Sequence, residues 1–367
     1  PSAAGSQGPF TMRFDLFNEL SVPAHGQRDE RQVFRETLEE WALADELGFD
    51  TAWLVEHHFM PEYSHSTAPG LFLAAAAQRT QRMRLGHAVV PLPYHHPIRV
   101  AESAATLDLL ADGRLEFGFG RGFSPTEYAA FGVRMADSRE LTAESLAICR
   151  QAWAEGRVDH HGDHWDFDDL AVNPRPLQQP HPPLWSAAVS PESFELAGSE
   201  GIGALAGPFK PWFMVREDIR RYREAFTAAG HPAGVEPRVG MTLGIFCLPD
   251  GREARRLAKP AVEWFYGHLL GQTRPVLKSL YEGYEYYQKW GRWRPLLERA
   301  VSLRLLEALG MVIVGDPAHC RRRLQELAEA GVDHTLCAVG AGALPTGETR
   351  RSLHTLAEEV IPALREP

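Results

Sequence analysis

Short apolar runs alternate with longer amphipathic stretches along most of the chain. The run at 12–18, MRFDLFN, is followed by ERQVFRETLEEWALADELG, whose apolar residues recur at helical spacing. Gly48 stands where a glycine that ends a helix belongs. Strand and helix patterns that alternate in this way are typical of βα units around a parallel sheet.

We predict eight strands of this kind. They cover residues 12–18, 50–56, 83–92, 114–120, 184–189, 202–207, 238–248 and 332–340. Eight strands separated by helices close a TIM (β/α)8 barrel, a fold of usually about 250 residues, so a chain of 367 residues leaves room for insertions. The predicted fold class is therefore α/β, a TIM barrel with insertions. An open doubly wound sheet is the alternative, but it usually has fewer strands and a dinucleotide-binding glycine pattern.

Two segments interrupt the βα pattern. Residues 157–182 are polar and rich in proline, which predicts an insertion that carries a hairpin. Residues 271–300 are dense in Tyr, Trp and Arg and fall between the seventh and eighth strands, either as a lid over the opening or as an aromatic helix packed on the barrel wall. Residues 1–11 are small and unpatterned and are interpreted as the remnant of an expression tag, which leaves 12–367 as a single barrel domain.

Composition narrows the class of function. Lys plus Arg number 38 and Asp plus Glu 48, and the net charge of −10 disfavours nucleic acids and anionic membrane surfaces as partners. The four cysteines are scattered without CxxC spacing, which fits a reducing compartment. No apolar run approaches the roughly 18 to 20 residues that cross a bilayer, and no secretory signal is visible. We therefore expect a cytoplasmic protein of enzyme size.

Polar residues follow the second strand abruptly. In WLVEHHF (53–59), the apolar run ends in Glu56, His57 and His58. Catalytic groups of βα barrels lie at the carboxyl ends of the strands, so we expect these three side chains to project into the barrel opening.

The histidine clusters also raise the possibility of a metal site. Pairs occur at 57–58 and 95–96, and three more histidines lie within 160–164. Neighbouring residues of an extended strand point to opposite faces, however, so His57 and His58 are poorly placed to bind one ion. The third cluster lies in the polar insertion, where a solvated loop explains it. We therefore predict no metal site.

The fourth predicted strand ends in a pattern suited to an anion. In GFGRGFSPTE (118–127), Gly120 and Gly122 flank Arg121, so the backbone can approach a ligand while the guanidinium offers paired donors. Ser124 and Glu127 are spaced as a capping box for the next helix.

The fifth predicted strand ends in VSPES (189–193), which places Ser190 as a helix cap and Ser193 one turn in. Two helix N-termini with an arginine at one rim form a suitable phosphate site, and Arg139 offers a second cation. Ordinary helix capping explains each Ser-Pro pair taken alone. The chain contains no GxSxG hydrolase motif, and Phe123 breaks the GxGxxG pattern. The residues alone indicate a barrel enzyme for a phosphorylated ligand, with a histidine near the reacting centre.

At these residues the sequence resembles the bacterial luciferase-like, flavin-dependent monooxygenases. The matching segments are GFDTAWLVEHHF (48–59), LGHAVVPLPYHHPIR (85–99), LLADGRLEFGFGRG (109–122) and DSRE (137–140). The resemblance implies a TIM barrel that uses reduced FMN (FMNH2) and O2, with a separate flavin reductase as partner. It also implies a small-molecule organic substrate and a homodimer.

The resemblance assigns roles to particular residues. His57 matches the family's catalytic histidine, which assists the formation or decay of a flavin C4a-peroxide, and Glu56 matches its acidic neighbour. Ala88 and Val89 fall where the family has a non-prolyl cis peptide bond beneath the isoalloxazine ring. The positions that match those holding the phosphate and the ribityl chain are Arg121, Phe123, Arg139, Val189, Ser190 and Ser193.

Two departures argue against light emission as the role of this chain. Gly120, also expected beside the flavin, stands where light-emitting members carry a cysteine, and Val189 replaces an acidic residue. The favoured hypothesis is an FMNH2- and O2-dependent monooxygenase that performs hydroxylation, epoxidation or Baeyer–Villiger oxidation of a bulky organic substrate, as in antibiotic biosynthesis. A deazaflavin-dependent oxidoreductase on the same barrel is one alternative. A non-catalytic flavin-binding subunit is another, although retention of His57 and Arg121 argues against it.

Overall fold

The computed structural model describes residues 12–26, 28–283, 301–342 and 344–365, and for 273–283 it describes the backbone only. The strands are β1 (Arg13–Asn18), β2 (Thr51–Leu54), β3 (Arg84–His87), β4 (Val90–Pro91), β5 (Leu115–Gly120), β6 (Arg157–His161), β7 (Asp166–Ala171), β8 (Leu184–Ala188), β9 (Gly203–Ala206), β10 (Val239–Cys247), β11 (Val312–Gly315) and β12 (His334–Ala338). The helices are α1 (Glu30–Leu47), α2 (Pro69–Ala77), α3 (Pro97–Leu110), α4 (Pro125–Ala130), α5 (Ser138–Glu155), α6 (Pro191–Ser199), α7 (Trp212–Ala229), α8 (Gly251–Gly283), α9 (Leu303–Ala308), α10 (Pro317–Glu329), α11 (Thr346–Thr355) and α12 (Ile361–Arg365).

Eight parallel strands close a ring in the order β1, β2, β3, β5, β8, β9, β10, β12 and back to β1. Helices follow these strands, so the predicted TIM barrel is confirmed. The eight ring strands are the eight that the apolar runs predict. Helix α1 also ends as expected, because Gly48 adopts a left-handed conformation with φ of 85°.

The prediction differs from the structure at two strands. The single strand expected at 83–92 is divided into β3 and β4, which are separated by a cis peptide bond between Ala88 and Val89. A further parallel strand, β11, pairs with the carboxyl half of β10 and was not predicted. Its short apolar run follows the long aromatic segment after β10, where no strand was expected.

The polar insertion contains the hairpin that its sequence predicts. Strands β6 and β7 pair antiparallel within residues 157–182 and form a separate two-stranded sheet. Residues 271–283 continue helix α8, whereas 284–300 lie outside the described residues, so the choice between a lid and a wall helix stays a prediction. Residues 1–11 also lie outside the description. Over the described chain, no helix combines the length and the apolar character needed to span a membrane.

Large side chains fill the barrel interior towards the amino ends of the strands. Trp53 and Trp185 meet edge to face with ring centroids 5.4 Å apart, and their indole nitrogens donate to Asp15 and Glu116. A glycine, Gly86, faces Trp53, where an added Cβ would lie 2.1 Å from the indole ring. Because this end of the barrel is packed, the space for a ligand lies at the other end.

Candidate active site

A cavity of about 470 Å3 opens at the carboxyl ends of the barrel strands. This volume lies in the range of small-molecule sites, roughly 300–1,000 Å3. Most of the predicted site residues line the cavity: His57, Ala88, Val89, Arg121, Phe123, Arg139, Val189, Ser190 and Ser193. Glu56 and Gly120 do not line it. The residues predicted to bind phosphate and the histidine predicted to act in catalysis therefore meet at one opening.

His57 lies in this cavity just beyond the end of β2. Its backbone N–H donates to the carbonyl of Ser66 at 3.0 Å, and its ring meets that of Phe123 edge to face. The expectation that Glu56, His57 and His58 all project into the opening holds for His57 only. Trp53 and Val55 pack inside the barrel and Leu54 packs towards the helices, so alternation along the strand turns Glu56 away from the cavity.

Glu56 is buried outside the cavity between two imidazoles. Its Oε1 lies 3.1 Å from Nε2 of His58 and 2.5 Å from Nε2 of His95. Burial alone would raise the pKa of Glu56, but hydrogen bonds from these two histidines lower it below its usual value. Glu56 is therefore charged, and its contacts with His58 and His95 support the turn after β2. Over the described ranges, no three His, Cys, Asp or Glu side chains are grouped so as to hold a metal ion.

Glu127 lies beside His57, whereas its spacing from Ser124 predicts only a role in a capping box. Ser124 caps helix α4 as predicted, because its side chain accepts from the backbone N–H of Glu127. The Glu127 carboxylate does not return the capping-box bond. Its Oε1 accepts from the backbone N–H of His58 at 2.8 Å, and its Oε2 accepts from the hydroxyl of Tyr94 at 3.2 Å. Nδ1 of His57 lies 3.5 Å from Oε1 of Glu127, which is an ion-pair distance.

Glu19, which directly follows β1, lies on the other side of His57. Its Oε2 is 3.9 Å from Nε2 of His57, and its Oε1 accepts from the hydroxyl of Tyr63 at 2.9 Å. Burial raises the pKa of Glu19 to about 7, despite the opposing effects of His57, Tyr63 and Ser64. Glu19 was not among the predicted site residues, although a charged residue at the end of a barrel strand is the same signal that marks His57.

The two carboxyl groups set the proton affinity of His57. Burial of the ring lowers its pKa, but Glu127 and Glu19 raise it by more, and the net result is a pKa above the ordinary value for histidine. One ring nitrogen faces each acid. The two carboxyl groups can therefore hold a proton on His57, whose side chain lines the cavity.

The opposite rim carries the cationic and helix-terminal groups. Nε and Nη2 of Arg121 donate to Oγ of Ser138 at 3.1 and 2.9 Å, which fixes the guanidinium plane. Ser190 caps helix α6, as predicted, and Ser193 completes a capping box that the sequence analysis did not predict. The side chain of Lys210 donates to the carbonyl of Val189 at 2.9 Å and forms a buried ion pair with Asp218. Neither Lys210 nor Asp218 was predicted from the sequence.

The cis peptide bond implied by the resemblance is present between Ala88 and Val89, and both residues line the cavity. Gly120 lies behind them. A Cβ added to Gly120 would stand 2.8 Å from Cγ2 of Val89 and 3.1 Å from the Cβ of Ala187. Because Gly120 has no side chain, Val89 can pack closely against it. Gly120 therefore shapes the floor of the cavity through the position of Val89.

Comparison with known proteins agrees with this geometry. Residues 12–334 match the family described as luciferase-like monooxygenase. The oxygenase component of the flavin-dependent trigonelline monooxygenase of Acinetobacter baylyi is 30% identical over 260 residues, which are 70% of this chain and 71% of that protein. The 4-hydroxyprotoasukamycin monooxygenase of Streptomyces nodosus subsp. asukaensis is 40% identical over 196 residues, 52% of either chain.

Solved structures show the same barrel. The monooxygenase RslO1 from Streptomyces bottropensis superposes with a TM-score of 0.78 at 31% identity, covering 96% of this chain and 99% of that one. A coenzyme F420-dependent tetrahydromethanopterin reductase from Methanopyrus kandleri gives a TM-score of 0.68 at 18% identity over 96% and 99% of the two chains, a likeness that shows the fold alone. Because the family match covers most of the sequence, this protein belongs to the luciferase-like monooxygenase family and is an oxidoreductase.

Proposed function

We propose that this protein is the oxygenase component of an FMN-dependent monooxygenase. It takes FMNH2 from a separate reductase and uses O2 to oxidise a bulky organic substrate. The observation that carries the proposal is the placement of His57, between Glu19 and Glu127, in the same cavity as Arg121, Ser190 and Ser193. A relative named as an oxygenase component supports the separate reductase.

The residues present fit FMN at both ends of the cavity. The inner wall is apolar, formed by side chains such as Val55, Val89, Leu205 and Leu336, and suits a flat ring system. The rim offers Arg121 and Arg139 with the hydroxyl of Ser190, at the N-terminus of helix α6, and suits a phosphate. A flavin bound in this way would lie with its ring towards His57.

Bound reduced flavin supplies the two electrons that, together with two from the substrate, reduce O2 to one inserted oxygen atom and one molecule of water. The protein has to hold the ring, exclude bulk water and manage protons. His57 suits the last task, because its pKa above the ordinary histidine value favours the protonated ring, while Glu127 and Glu19 hold its orientation.

The substrate class follows from the cavity and from a relative. Apolar and aromatic side chains, including Tyr63, Phe123 and Phe209, line the space beside the flavin site, which suits a large hydrophobic molecule. Similarity to a 4-hydroxyprotoasukamycin monooxygenase supports a role in the tailoring of a secondary metabolite by hydroxylation, epoxidation or Baeyer–Villiger oxidation. A cytoplasmic homodimer is part of the same proposal.

Cofactor titration tests the proposal directly. Reduced FMN is expected to bind tightly, and reduced deazaflavin weakly, when each is followed by its absorbance and fluorescence. With FMNH2, oxygen-18 gas and candidate substrates, mass spectrometry should then detect a product that carries one labelled atom. Tight binding of the deazaflavin alone would replace the proposal with a hydride-transfer enzyme, and flavin binding without turnover of any substrate would favour a non-catalytic subunit.

A further inference from the structure

A second, much smaller cavity lies behind Glu19, between the carboxyl end of β1, the carboxyl end of β12 and helix α1. Its volume is about 30 Å3, and Glu19, Thr37 and Glu40 are among its lining residues. A water molecule needs roughly 10–15 Å3 of such space and two to four polar partners. Glu19 and Phe17 line the active-site cavity as well, so these two side chains lie between the two spaces.

Both acids present an unpaired oxygen in this region. Oε2 of Glu19 and Oε1 of Glu40 are buried, and neither has a hydrogen-bond partner among the residues that the structure describes. Glu19 and Glu40 are 7% and 6% exposed. Buried carboxyl oxygens are normally hydrogen-bonded. Oε2 of Glu19 faces His57 at 3.9 Å, and water in the small cavity can provide the hydrogen bonds that both acids lack.

The two acids also share an unusual proton affinity. Burial raises the pKa of Glu40 to about 7; Arg28 and Arg350 oppose this effect, and Glu36 and Glu39 add to it. Burial likewise raises the pKa of Glu19 to about 7, with His57 opposing and Glu127 adding to the effect. Acids of matched pKa near neutrality exchange protons readily, because neither direction of transfer is strongly uphill.

The outer end of the small cavity reaches a partly exposed ion pair. Arg28 lines the cavity, and its Nη1 lies 3.1 Å from Oε2 of Glu36. The side chains of Arg28 and Glu36 are 20% and 28% exposed, so this end meets solvent. Glu19, Glu40 and Arg28 therefore line one small cavity, which lies between His57 and the surface of helix α1.

We propose that Glu19, the small cavity and Glu40 form a proton path between His57 and solvent that bypasses the active-site opening. This inference rests on the proposed function. When the reduced flavin enters as its anion, each turnover consumes one proton: FMNH−, H+, O2 and substrate give FMN, water and the oxygenated product. Flavin and substrate close the opening to bulk water, yet this proton must still arrive.

Each transfer moves only a proton, and no bond between heavy atoms forms or breaks. After His57 has given its proton to the reacting centre, Glu19 reloads Nε2 of His57, cavity water reloads Glu19, and Glu40 reloads that water, while Glu40 regains a proton from solvent beside Arg28. The 3.9 Å between Glu19 and His57 has to shorten by a small side-chain rotation, as catalytic hydrogen bonds often do when ligands bind.

Substitution of Glu40 tests the path without touching the active-site cavity. Glu40→Gln keeps the shape of the side chain but cannot relay a proton, so single turnovers started from the complex with FMNH2 should slow roughly 10-fold or more, with a larger solvent deuterium isotope effect. Glu46→Gln, exposed near the end of the same helix and not among the charges that act on Glu40, is the matched control and should behave as wild type. Equal rates and isotope effects in the two variants would overturn the path. An unmodified enzyme that fails to oxidise any substrate with FMNH2 and O2 would overturn the proposed function instead.

A stability measurement on the flavin-free protein provides a readout that is independent of turnover. The raised pKa of Glu40 means that the folded protein binds this proton more tightly than the unfolded chain, so its contribution to stability falls as pH rises from about 4.5 to about 7. The melting temperature of Glu40→Gln should therefore drop less between about pH 5 and about pH 8 than that of wild type. The same drop in both proteins would show that Glu40 ionises as an ordinary acid and does not serve as a relay.

Discussion

His57→Ala is expected to lower the rate of substrate oxidation by about 10² or more, the scale of a lost acid–base group. His57 is the imidazole that lines the cavity, and its ring lies 3.5 Å from Glu127 and 3.9 Å from Glu19. Alanine removes the imidazole that faces both Glu127 and Glu19, and it leaves the proposed phosphate site at the rim unchanged. The dissociation constant for FMN should therefore change little, and single-turnover mixing with oxygenated buffer would separate the two effects.

A neighbouring histidine provides the control for this experiment. The His58 ring bonds to Glu56 outside the cavity, and His58 reaches Glu127 only through its backbone N–H, which alanine retains. His58→Ala should therefore keep most of the activity. In the unmodified enzyme, the limb of the pH–rate profile that reports His57 should lie above the ordinary histidine pKa. Equal rates for wild type and His57→Ala would make His57 a packing residue.

The barrel could be predicted because its signal is local. A strand buried on both faces gives an apolar run, and all eight ring strands have such a run followed by a helix pattern. Strand β11 carries the same kind of signal, since its buried run VIVG is followed directly by helix α10, and it was overlooked because it comes after the long aromatic segment. That it lies outside the ring, paired only with β10, is a tertiary feature that no local pattern encodes.

Site residues could be predicted from the sequence where a charged or titratable side chain directly follows a buried strand. His57 and Arg121 directly follow buried strands, and both line the cavity. Glu127 was given a capping role, because sequence spacing cannot show that its carboxylate is drawn instead to Tyr94 and the backbone of His58. Gly120 was expected to let a ligand approach, whereas its nearest neighbour is the side chain of Val89.

Glu40 shows the limit of sequence reasoning most clearly. On helix α1 it is one of several acids in the run RETLEE, and nothing in that pattern distinguishes it from its exposed neighbour Glu39. Only the folded barrel brings it to the cavity that Glu19 also lines. Burial then changes the proton affinity of both acids, which is a property of the tertiary structure.

Arg121→Ala is expected to weaken FMN binding by about 1.5–3 kcal/mol, the scale of a hydrogen bond to a charged group. This corresponds to a roughly 10- to 150-fold increase in Kd, measured by fluorescence titration. The guanidinium is held in place by Ser138 and lines the same rim as Arg139 and Ser190, where the phosphate is proposed to bind. Some binding should remain, because Arg139 is retained.

Riboflavin, which lacks the phosphate, shows whether Arg121 acts on that group. The unmodified protein should bind FMN more tightly than riboflavin, and Arg121→Ala should remove most of this preference while leaving riboflavin affinity nearly unchanged. Arg134→Ala is the matched control, because Arg134 pairs with Asp137 nearby but is 81% exposed and does not line the cavity. Equal affinity for FMN and riboflavin in the unmodified protein would contradict a phosphate site at this rim. An equal loss for both ligands in Arg121→Ala would mean that Arg121 supports the cavity wall and does not contact phosphate.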